Sequence, residues 1–309
     1  MILKRKTVDG QAFGLAPLSM HYEGRHIIRR PSEANSVILQ VTVGCSHNKC
    51  TFCGTYKGER FRIKDQSVID ADIDFAARYC RCQNRMFLAD GDVLILPQRH
   101  LTALLTKIKA RAPWINRISL YGNAKSILKK KPSELEELKS LGLDRIYMGL
   151  ESGHDPTLKA IIKGADKAAM VEAGRKVRKA GLFLSVTVLL GIAGVLHSLA
   201  HAEATGAVLS DMAPNQIGVL TLMLLDNTPL YRDAAAGRFQ LPGPLGMLEE
   251  LRMMVENIHL DRVQLQTNHA SNYLTLNARL SRDKEQVLGI IDQAITGNIH
   301  LKAEALRAL

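Results

Sequence analysis

Three cysteines lie close together near the start of the chain. Four residues separate Cys45 from Cys50, and two separate Cys50 from Cys53. Thiolates this close in sequence suit a soft metal centre, because the iron atoms of a cluster are bound by cysteine sulfurs that lie near one another. Since only three cysteines are supplied, a four-iron cluster would keep one iron open for another ligand. We therefore predict an iron–sulfur cluster at Cys45, Cys50 and Cys53.

Other uses of the cysteines deserve comparison with this prediction. A structural zinc ion needs four ligands, and His47 could be the fourth, but it lies between two cysteines too close in sequence for a tetrahedral site. A disulfide framework fits poorly with an odd total of five cysteines in 309 residues and no secretory signal. Packing alone explains one buried cysteine better than three at this spacing. The other two, Cys80 and Cys82, are too few for a second cluster, and we interpret them as structural.

Six apolar runs alternate with helical patterns and predict the elements that position the cysteines. Runs that are apolar throughout indicate parallel strands buried on both faces. With right-handed crossovers, such strands form either a doubly wound sheet or an open barrel, and the pattern alone leaves both open. The first run leads directly into the cysteine segment. The predicted strands are 36–43, 85–89, 117–121, 144–150, 182–190 and 216–222.

The chain divides into three predicted regions. Residues 1–35 have few periodic apolar positions and are predicted to form an irregular arm. Residues 36–235 contain the six strands and form the core. Residues 236–309 follow a stretch rich in proline and glycine, and are predicted to form a small α+β extension. We therefore predict an α/β protein with a small C-terminal extension.

Glycine and polar residues recur where four of the predicted strands end. These segments are Asp90-Gly91-Asp92, Gly122-Asn123, Glu151-Ser152-Gly153 and 191–194. Glycine lets a ligand approach the backbone, and carboxylates at strand ends bind amines or ribose hydroxyls. Any one of these segments could be a simple turn. Their repetition after a cysteine loop predicts a cofactor site at the C-terminal ends of the strands.

The cysteine segment resembles the radical S-adenosylmethionine (SAM) superfamily, in which three clustered cysteines bind a [4Fe–4S] cluster. An aromatic residue before the last cysteine is usual there, and here it is Phe52. The commonest spacing places three residues between the first two cysteines, whereas this chain has four, which we interpret as marking a subfamily. The resemblance implies a partial (β/α)6 TIM-like barrel. It also implies that the open iron binds the amino and carboxylate groups of SAM.

The resemblance further implies which loops bind the rest of SAM. In the superfamily, the loop after the second strand meets the methionine amino group, and the loops after the third and fourth strands bind the ribose and the methionine carboxylate. A glycine-bearing loop after the fifth strand lies along adenine. Segments 148–153 and 227–231 also resemble the oxygen-independent coproporphyrinogen oxidase group. The residues expected to bind the cofactor are Phe52, Asp90, Gly91, Asp92, Asn123, Ser126, Glu151, Gly191 and Ile192.

The extension contains one polar string, Thr267 to Tyr273, that the cofactor site does not explain. Its residue types favour turns, so a plain loop is one interpretation. The other is that the extension folds back and offers His269, Asn272 and Tyr273 to a substrate, with His269 active in proton transfer. His269 is therefore the candidate catalytic residue.

The chain carries a net charge of +11. A basic protein can bind RNA or an anionic small molecule, and scattered basic residues without an RNA-binding signature favour the small molecule. Arg29 and Arg30, at the end of the arm, could hold a carboxylate at the barrel mouth or form surface ion pairs. The absence of a signal peptide and of a long apolar segment predicts a cytoplasmic protein without a membrane span.

These observations predict a radical SAM enzyme that acts on a small, anionic substrate by hydrogen abstraction. Its implied cofactors are a [4Fe–4S] cluster and SAM, and its implied electron donor is a protein such as flavodoxin or ferredoxin. Two alternatives stay open: an RNA-modifying radical SAM enzyme, and a non-catalytic iron–sulfur sensor or carrier. Cofactor loops at the strand ends argue against the second alternative, because a cluster carrier does not need them.

Overall fold

A single eight-stranded sheet organises the part of the chain that the computed structural model describes, residues 19–308. Its strands follow one another in the order β1-β4-β5-β6-β7-β8-β9-β10, and β1 does not pair with β10. All neighbours from β1 to β9 are parallel, and only β10 is antiparallel to β9. The sheet therefore forms an open, partial barrel, as the family resemblance implies. Its strands are β1 (Val37–Gln40), β4 (Arg85–Ala89), β5 (Arg117–Tyr121), β6 (Leu143–Glu151), β7 (Phe183–Leu190), β8 (Gln216–Thr221), β9 (Gln264–Gln266) and β10 (Asn277–Arg279).

Helices connect the parallel strands and pack on one face of the sheet. Two short strands, β2 (Thr42–Val43) and β3 (Arg62–Ile63), form a separate antiparallel pair on either side of the cysteine segment. The helices are α1 (Gln66–Tyr79), α2 (Gln98–Arg111), α3 (Ala124–Lys129), α4 (Pro132–Ser140), α5 (Asp155–Ala160), α6 (Lys167–Lys179), α7 (Gly194–Met212), α8 (Pro229–Ala235), α9 (Pro244–Glu256) and α10 (Leu280–Ile295).

The alternation of side chains along each strand separates two cores. In β4, Met86 and Leu88 belong to the main core between sheet and helices. Phe87 and Ala89 point to the opposite side and form a smaller cluster with Tyr147 of β6. Because both faces of these strands are covered, each strand needs an unbroken apolar sequence. The inner face encloses the lumen of the open barrel.

The six strands predicted from the apolar runs are all present, with small differences at their ends. The first run, predicted as one strand over 36–43, is divided: its first half joins the large sheet, and Thr42–Val43 pairs with β3. Helices α3 and α8 form in segments to which the sequence pattern assigns no helix. The C-terminal extension also continues the main sheet, since β9 pairs in parallel with β8.

The end of the N-terminal arm runs through the lumen. Ile28 lies beside the Asp90 carboxylate at the C-terminal end of β4. Arg30 donates a hydrogen bond to the middle of β7, and Glu33 accepts one from Ser119 near the start of β5. The arm thus descends along the inside of the barrel before it turns into β1. No helix within residues 19–308 is long and apolar enough to cross a membrane.

Candidate functional site

The three clustered cysteines lie on the loop that connects the short strands β2 and β3. Gly44 opens this loop with a φ of 80°, a left-handed conformation that glycine adopts without strain. Cys45, Cys50 and Cys53 are half-buried and form no disulfide. Among the described residues, no three cysteine, histidine or acidic side chains converge on a single metal ion. This spacing fits a cluster, in which each thiolate binds a different iron, better than a zinc ion.

One side of the cysteine loop is fixed by the segment after α5. The backbone N–H of Thr51 donates to the carbonyl of Ile161 at 3.0 Å. The Nε2 atom of His47 lies 2.7 Å from the carbonyl of Ile162, and its ring packs on Gly164, where a Cβ atom would collide with it. His47 therefore supports the loop, which explains a histidine between two cysteines without any role in metal binding.

The other side is fixed by the segment after β8. Asn227 donates from Nδ2 to the carbonyl of Gly54 at 2.9 Å, and the N–H of Leu230 donates to the carbonyl of Thr51 at 3.0 Å. Asn227 lies so close that a Cβ atom at position 54 would overlap its side chain. The cysteine loop and the segment after β8 therefore hold one another in place.

Burial keeps the thiols of Cys45 and Cys50 protonated while no metal is bound, and one neighbouring positive charge opposes this effect. Burial raises the pKa of Cys45, and it raises the pKa of Cys50 to about 11. Burial also lowers the pKa of Lys163, but the Glu151 carboxylate and the Cys50 thiol more than offset this, so the pKa of Lys163 lies above its usual value. A protonated lysine beside Cys50 favours the thiolate. The donor set and its charge therefore fit a cluster that is held by three thiolates.

Asp92 joins the cysteine loop to the ends of β4 and β5. Its Oδ2 atom accepts hydrogen bonds from Ser46 at 2.5 Å, Ser126 at 2.6 Å and the Asn123 amide at 2.7 Å. Oδ1 accepts the backbone N–H of Asn123 at 3.3 Å. Asp92 is fully buried, and both of its carboxylate oxygens accept hydrogen bonds from the protein itself. The structure thus brings together three of the residues expected at the cofactor site, and it gives Asp92 a local role in holding two loops.

Asp90 and Gly91 lie against the cysteine loop from the same strand end. Oδ1 of Asp90 accepts the hydroxyl of Tyr56 at 2.6 Å, and Oδ2 accepts Nε2 of Gln40 at 3.2 Å. Burial raises the pKa of Asp90, opposed by these hydrogen bonds. At Gly91 a Cβ atom would lie 3.2 Å from Cα of Cys45. A side chain at this position would therefore push the cysteine loop a few tenths of an ångström away from the strand end.

Glu151 and Lys163 form a partly buried ion pair beside Cys50. Their closest atoms, Oε1 and Nζ, are 2.9 Å apart. Glu151 has a φ of 65°, which is unusual for a residue with a side chain. This backbone conformation is energetically unfavourable, and the fold maintains it at the residue whose carboxylate pairs with Lys163. Both groups influence the ionisation of Cys50. The pair therefore lies next to the cluster ligands.

The loop after β7 closes the opposite side of the site. Ile192 belongs to a small apolar cluster that Phe52 joins from the cysteine loop, so the structure places these two predicted residues together. Gly191 has a φ of 80°, and its N–H donates to Oε1 of Glu250 at 2.7 Å. The other members of the cluster are Leu158, Ile161, Leu189, Leu222 and Leu230.

Glu250 comes from α9 in the C-terminal extension and is fully buried. Its Oε2 atom accepts the hydroxyl of Ser198 at 2.5 Å. Nε2 of His201 lies 3.2 Å from Oε1 but forms no hydrogen bond there. Nδ1 of His201 lies 2.7 Å from Oγ of Ser152. This network connects the extension to the loops after β6 and β7.

Within the polar string 267–273 the structure separates the three residues that the sequence grouped. Asn272 is buried and uses both ends of its amide, for example to donate to the carbonyl of Val219 at 2.7 Å. The Tyr273 hydroxyl bonds Glu304 at 2.5 Å. His269 stays partly exposed, and its Nδ1 accepts the N–H of Ser271 at 3.2 Å. In the neutral imidazole, Nε2 therefore carries the proton.

Replacing Arg30 by glutamine should raise the pKa of His269. Burial and the positive charges of Arg30 and Lys302 lower this pKa, so the imidazole is neutral at pH 7. Removing one of these charges favours the protonated form. An NMR pH titration of the histidine ring protons measures the shift, with His269→Gln to identify the signal and Arg29→Gln as the control. An unchanged His269 pKa in Arg30→Gln would contradict the proximity of the two side chains.

Four residues of this region were not found by sequence reasoning: Tyr56, Lys163, Asn227 and Glu250. Asn227 lies in a segment that the sequence noted only for its resemblance. The other three occupy a loop or a helix face where their residue types are common, and no local pattern distinguishes them. Cys80 packs at the edge of the main core and Cys82 is exposed, in agreement with a structural interpretation.

Comparison with known proteins gives the family. A model of the radical SAM superfamily matches residues 39–198, just over half of the chain, whereas a comparison with curated proteins gave no significant match. The fold is similar to that of TsrM from Kitasatospora setae, described as a radical S-adenosylmethionine methyltransferase with bound cobalamin and [4Fe–4S] cluster (TM-score 0.54, 17% identity, 73% of this chain and 46% of TsrM). It is also similar to HemN from Escherichia coli, a coproporphyrinogen III oxidase and radical SAM enzyme (TM-score 0.52, 14% identity, 72% and 51%). The chain spans about half the length of these proteins.

Proposed function

The chain belongs to the radical SAM superfamily and is an enzyme whose cofactors are a [4Fe–4S] cluster and SAM, and from this premise we propose that it abstracts hydrogen from a small, anionic substrate. One observation supports the assignment of the site: the loops after β4, β6 and β7 all reach the cysteine loop. Gly91 packs on Cys45, the Glu151–Lys163 pair lies beside Cys50, and Phe52 shares an apolar cluster with Ile192.

In this proposal Cys45, Cys50 and Cys53 bind the cluster. When bound, the reduced cluster supplies the electron that cleaves SAM to methionine and a 5′-deoxyadenosyl radical, which abstracts hydrogen from the substrate. The protein holds both cofactors in place and excludes water. Phe52 and Ile192 offer an apolar surface for adenine. The network around Asp92 keeps the cysteine loop against the strand ends.

The products of cofactor turnover test the proposed reaction. The protein is reconstituted anaerobically with iron and sulfide, reduced by flavodoxin or ferredoxin, and incubated with SAM. Formation of 5′-deoxyadenosine and methionine in equal amounts agrees with reductive cleavage of SAM to the 5′-deoxyadenosyl radical, the species that the proposed hydrogen abstraction requires. Formation of S-adenosylhomocysteine instead would assign methyl transfer and contradict the proposal.

Lys163 is the residue we propose to receive the methionine carboxylate of SAM. It is a protonated amine beside Cys50, and in the structure it is paired with the Glu151 carboxylate at 2.9 Å. Replacing Lys163 by methionine keeps the length of the side chain and removes its charge. Loss of a hydrogen bond between charged groups weakens binding by about 10- to 100-fold.

Equilibrium dialysis of SAM against the reconstituted enzyme measures this effect, with iron content determined in each sample. Lys159→Met is the matched control, because Lys159 is exposed on α5 nearby. Equal SAM affinity in Lys163→Met and the wild type, at equal iron content, would remove Lys163 from the cofactor site.

An RNA substrate is the second candidate, and the basic surface is the observation that favours it. A groove of about 880 Å³ between α6 and α7 is lined by Lys167, Arg175, Lys176 and Lys179. Acidic residues line it too, and Arg175 is already paired with Asp211 at 3.3 Å. The groove lies on the outer helical layer, away from the lumen. We therefore expect no salt-sensitive mobility shift with tRNA, and such a shift would favour the RNA-modifying enzyme.

A further inference from the structure

The guanidinium of Arg30 lies inside the barrel and touches the inner faces of three adjacent strands. Its Nη1 donates to the hydroxyl of Thr187 on β7. Its Cζ lies 5.2 Å from the centre of the Tyr147 ring on β6, a distance that permits a cation–π interaction. On β8 it faces Gly218. A side chain from the N-terminal arm therefore reaches the middle of the lumen.

Strand β8 leaves room for this guanidinium. A Cβ atom at position 218 would overlap Nη2 of Arg30, so only glycine is compatible with the arginine in this place. Glycine weakens a strand interior, and its presence there often marks a close approach by another group. Here the approaching group is the Arg30 side chain.

Within residues 19–308, Arg30 has no acidic partner. No carboxylate lies within 4.0 Å of it among residues 19–308, although the same region contains arginines that do have one. Arg117 lies 3.1 Å from Glu33 and Arg307 lies 2.6 Å from Glu304. Glu33 is the nearby acid on the arm itself, and its oxygens are used by Arg117, Ser119 and neighbouring hydroxyls.

An arginine has five N–H donors, and Arg30 uses one side-chain hydrogen bond within the described chain. A charged group withdrawn from bulk water is stabilised when it is paired and hydrogen-bonded. The guanidinium presents its donors as a planar fork, which matches two oxygens of one carboxylate. The unused donors of Arg30 therefore suit an external anion.

The lumen is open to solvent at this level. Residues on the inner faces of central strands are usually buried in a filled barrel. Here the inward-facing positions near Arg30 are partly exposed, as are Arg30 itself and His269. These strand positions are Tyr121, Gly149, Thr187 and Leu220. A small molecule could therefore reach the guanidinium from the open lumen.

The same place is close to the proposed cofactor loops. The ring of Tyr121 lies 5.9 Å from that of Tyr147, over which Arg30 is stacked. Burial raises the pKa of Tyr121, and the charges of both Arg30 and Asp90 act on it. Tyr121 therefore stays protonated, and it lies near the guanidinium as well as near the strand end that packs on the cysteine loop.

We propose that Arg30 binds a carboxylate group of the substrate inside the barrel. This inference rests on the proposed function, since it names the anionic group of the small substrate proposed above. A carboxylate is favoured over a phosphate because one unpaired guanidinium matches a single negative charge. The nearby imidazole of His269 is neutral at pH 7 and adds no second positive charge. Arg30 is thus a substrate-specificity residue supplied by the N-terminal arm.

Chemical modification of Arg30 tests this site in the reconstituted enzyme with SAM present. Phenylglyoxal modifies accessible guanidinium groups that are not engaged with a carboxylate, and mass spectrometry of peptides gives the rate at each arginine. The probes are acetate, pyruvate, succinate and benzoate, with benzamide as the uncharged counterpart of benzoate and inorganic phosphate as the other anion. Ionic strength is kept equal with sodium chloride.

Arg30 should be modified faster than Arg117, whose guanidinium is paired with Glu33. At least one of the four carboxylates should protect it, and benzamide should not. A carboxylate at about ten times its dissociation constant leaves about one site in eleven free, so the modification of Arg30 should slow about tenfold. The inference is overturned if Arg30 is as unreactive as Arg117, if none of the carboxylates protects it, or if phosphate protects it best.

Variants separate recognition by Arg30 from general effects of the arm. Calorimetric titration of the protecting carboxylate should show binding weakened about tenfold or more in Arg30→Lys, which keeps the charge but loses the fork. Gly218→Ala should have a similar effect, because it displaces the guanidinium from β8. Arg29→Gln is the matched control, since Arg29 is the exposed neighbour on the arm. Equal weakening in Arg29→Gln would contradict the assignment to Arg30.

The 5′-deoxyadenosine assay on the same preparation tests the proposed function separately. Cleavage of SAM without protection of Arg30 by any carboxylate contradicts the Arg30 site alone. Protection of Arg30 without cleavage of SAM contradicts the proposed reaction alone.

Discussion

Replacing Cys45, Cys50 and Cys53 together by alanine should reduce the formation of 5′-deoxyadenosine to background. The three thiols lie on one loop, half-buried, and two strand-end loops pack directly on it. Removal of all three leaves no thiolate to bind iron at this place, and without a cluster there is no electron for SAM cleavage. Iron and sulfide content, visible absorption and 5′-deoxyadenosine are measured after identical anaerobic reconstitution.

The chain offers a matched control for the loss of thiols. Cys80 and Cys82 lie at the end of α1, and Cys82 is exposed. The double variant Cys80→Ala/Cys82→Ala should keep the iron content and the 5′-deoxyadenosine yield of the wild type. Retention of a reduced cluster with full activity in the triple variant would assign the cluster to other residues, and loss of both in the control would involve the second cysteine pair.

Replacing Glu250 by alanine should lower the free energy of unfolding by about 2–6 kcal/mol, because two buried hydrogen-bond donors lose their acceptor. The Gly191 N–H and the Ser198 hydroxyl would lose their acceptor, and His201 would lose its neighbouring carboxylate. Each unsatisfied buried donor costs about 1–3 kcal/mol. Because Gly191 belongs to the proposed adenine loop, the affinity for SAM should fall as well.

Urea unfolding and SAM dialysis measure the two effects of Glu250→Ala. Glu249→Ala is the control: its side chain is exposed on the same helix turn, so stability should change by less than about 0.5 kcal/mol. Glu250→Gln keeps one acceptor oxygen, so its free energy of unfolding should lie between those of Glu250→Ala and Glu249→Ala. A Glu250→Ala variant as stable as Glu249→Ala would show that the buried network does not stabilise the fold.

The sequence predicted the elements whose periodicity is strong. Parallel strands covered on both faces must be apolar throughout, so β4, β7 and β8 stand out as unbroken runs. The same regularity gave the order of strands and helices, because short connections and right-handed crossovers leave few topologies. Pattern alone left an open barrel and a doubly wound sheet as equal choices, and resemblance to the family decided between them.

Local deviations from these rules depended on packing that the sequence does not show. The strand predicted over 36–43 is divided because Thr42–Val43 pairs with β3 across the cysteine loop. Helices α3 and α8 are short, and each begins with a polar residue, Asn123 or Thr228, that caps its first turn. Short helices are weakly encoded because contacts with the rest of the fold supply most of their stability.

The cluster cysteines and strand-end loops were visible in the sequence because their residue types are unusual at that spacing. Their partners were not visible: Lys163 returns to Glu151 after helix α5, 12 residues along the chain, and Glu250 reaches Gly191 from 59 residues away. Such contacts join ordinary residues over long separations, so no local window contains the signal.

Only the tertiary structure shows which polar side chains are hydrogen-bonded within the fold and which can bind a ligand. Asp92 and Asn272 have the residue types of ligand-binding side chains, yet their hydrogen-bonding atoms are used within the fold. Arg30 is the opposite case. By sequence it is one of two adjacent arginines that could hold a carboxylate or form a surface ion pair, and only the fold places its guanidinium in the lumen with no acidic partner among residues 19–308. Sequence by itself determined the family, the cofactors and the strand order, because these depend on local spacing and periodicity. Which polar groups remain free for a substrate was decided by tertiary packing, because it depends on every partner that the fold supplies.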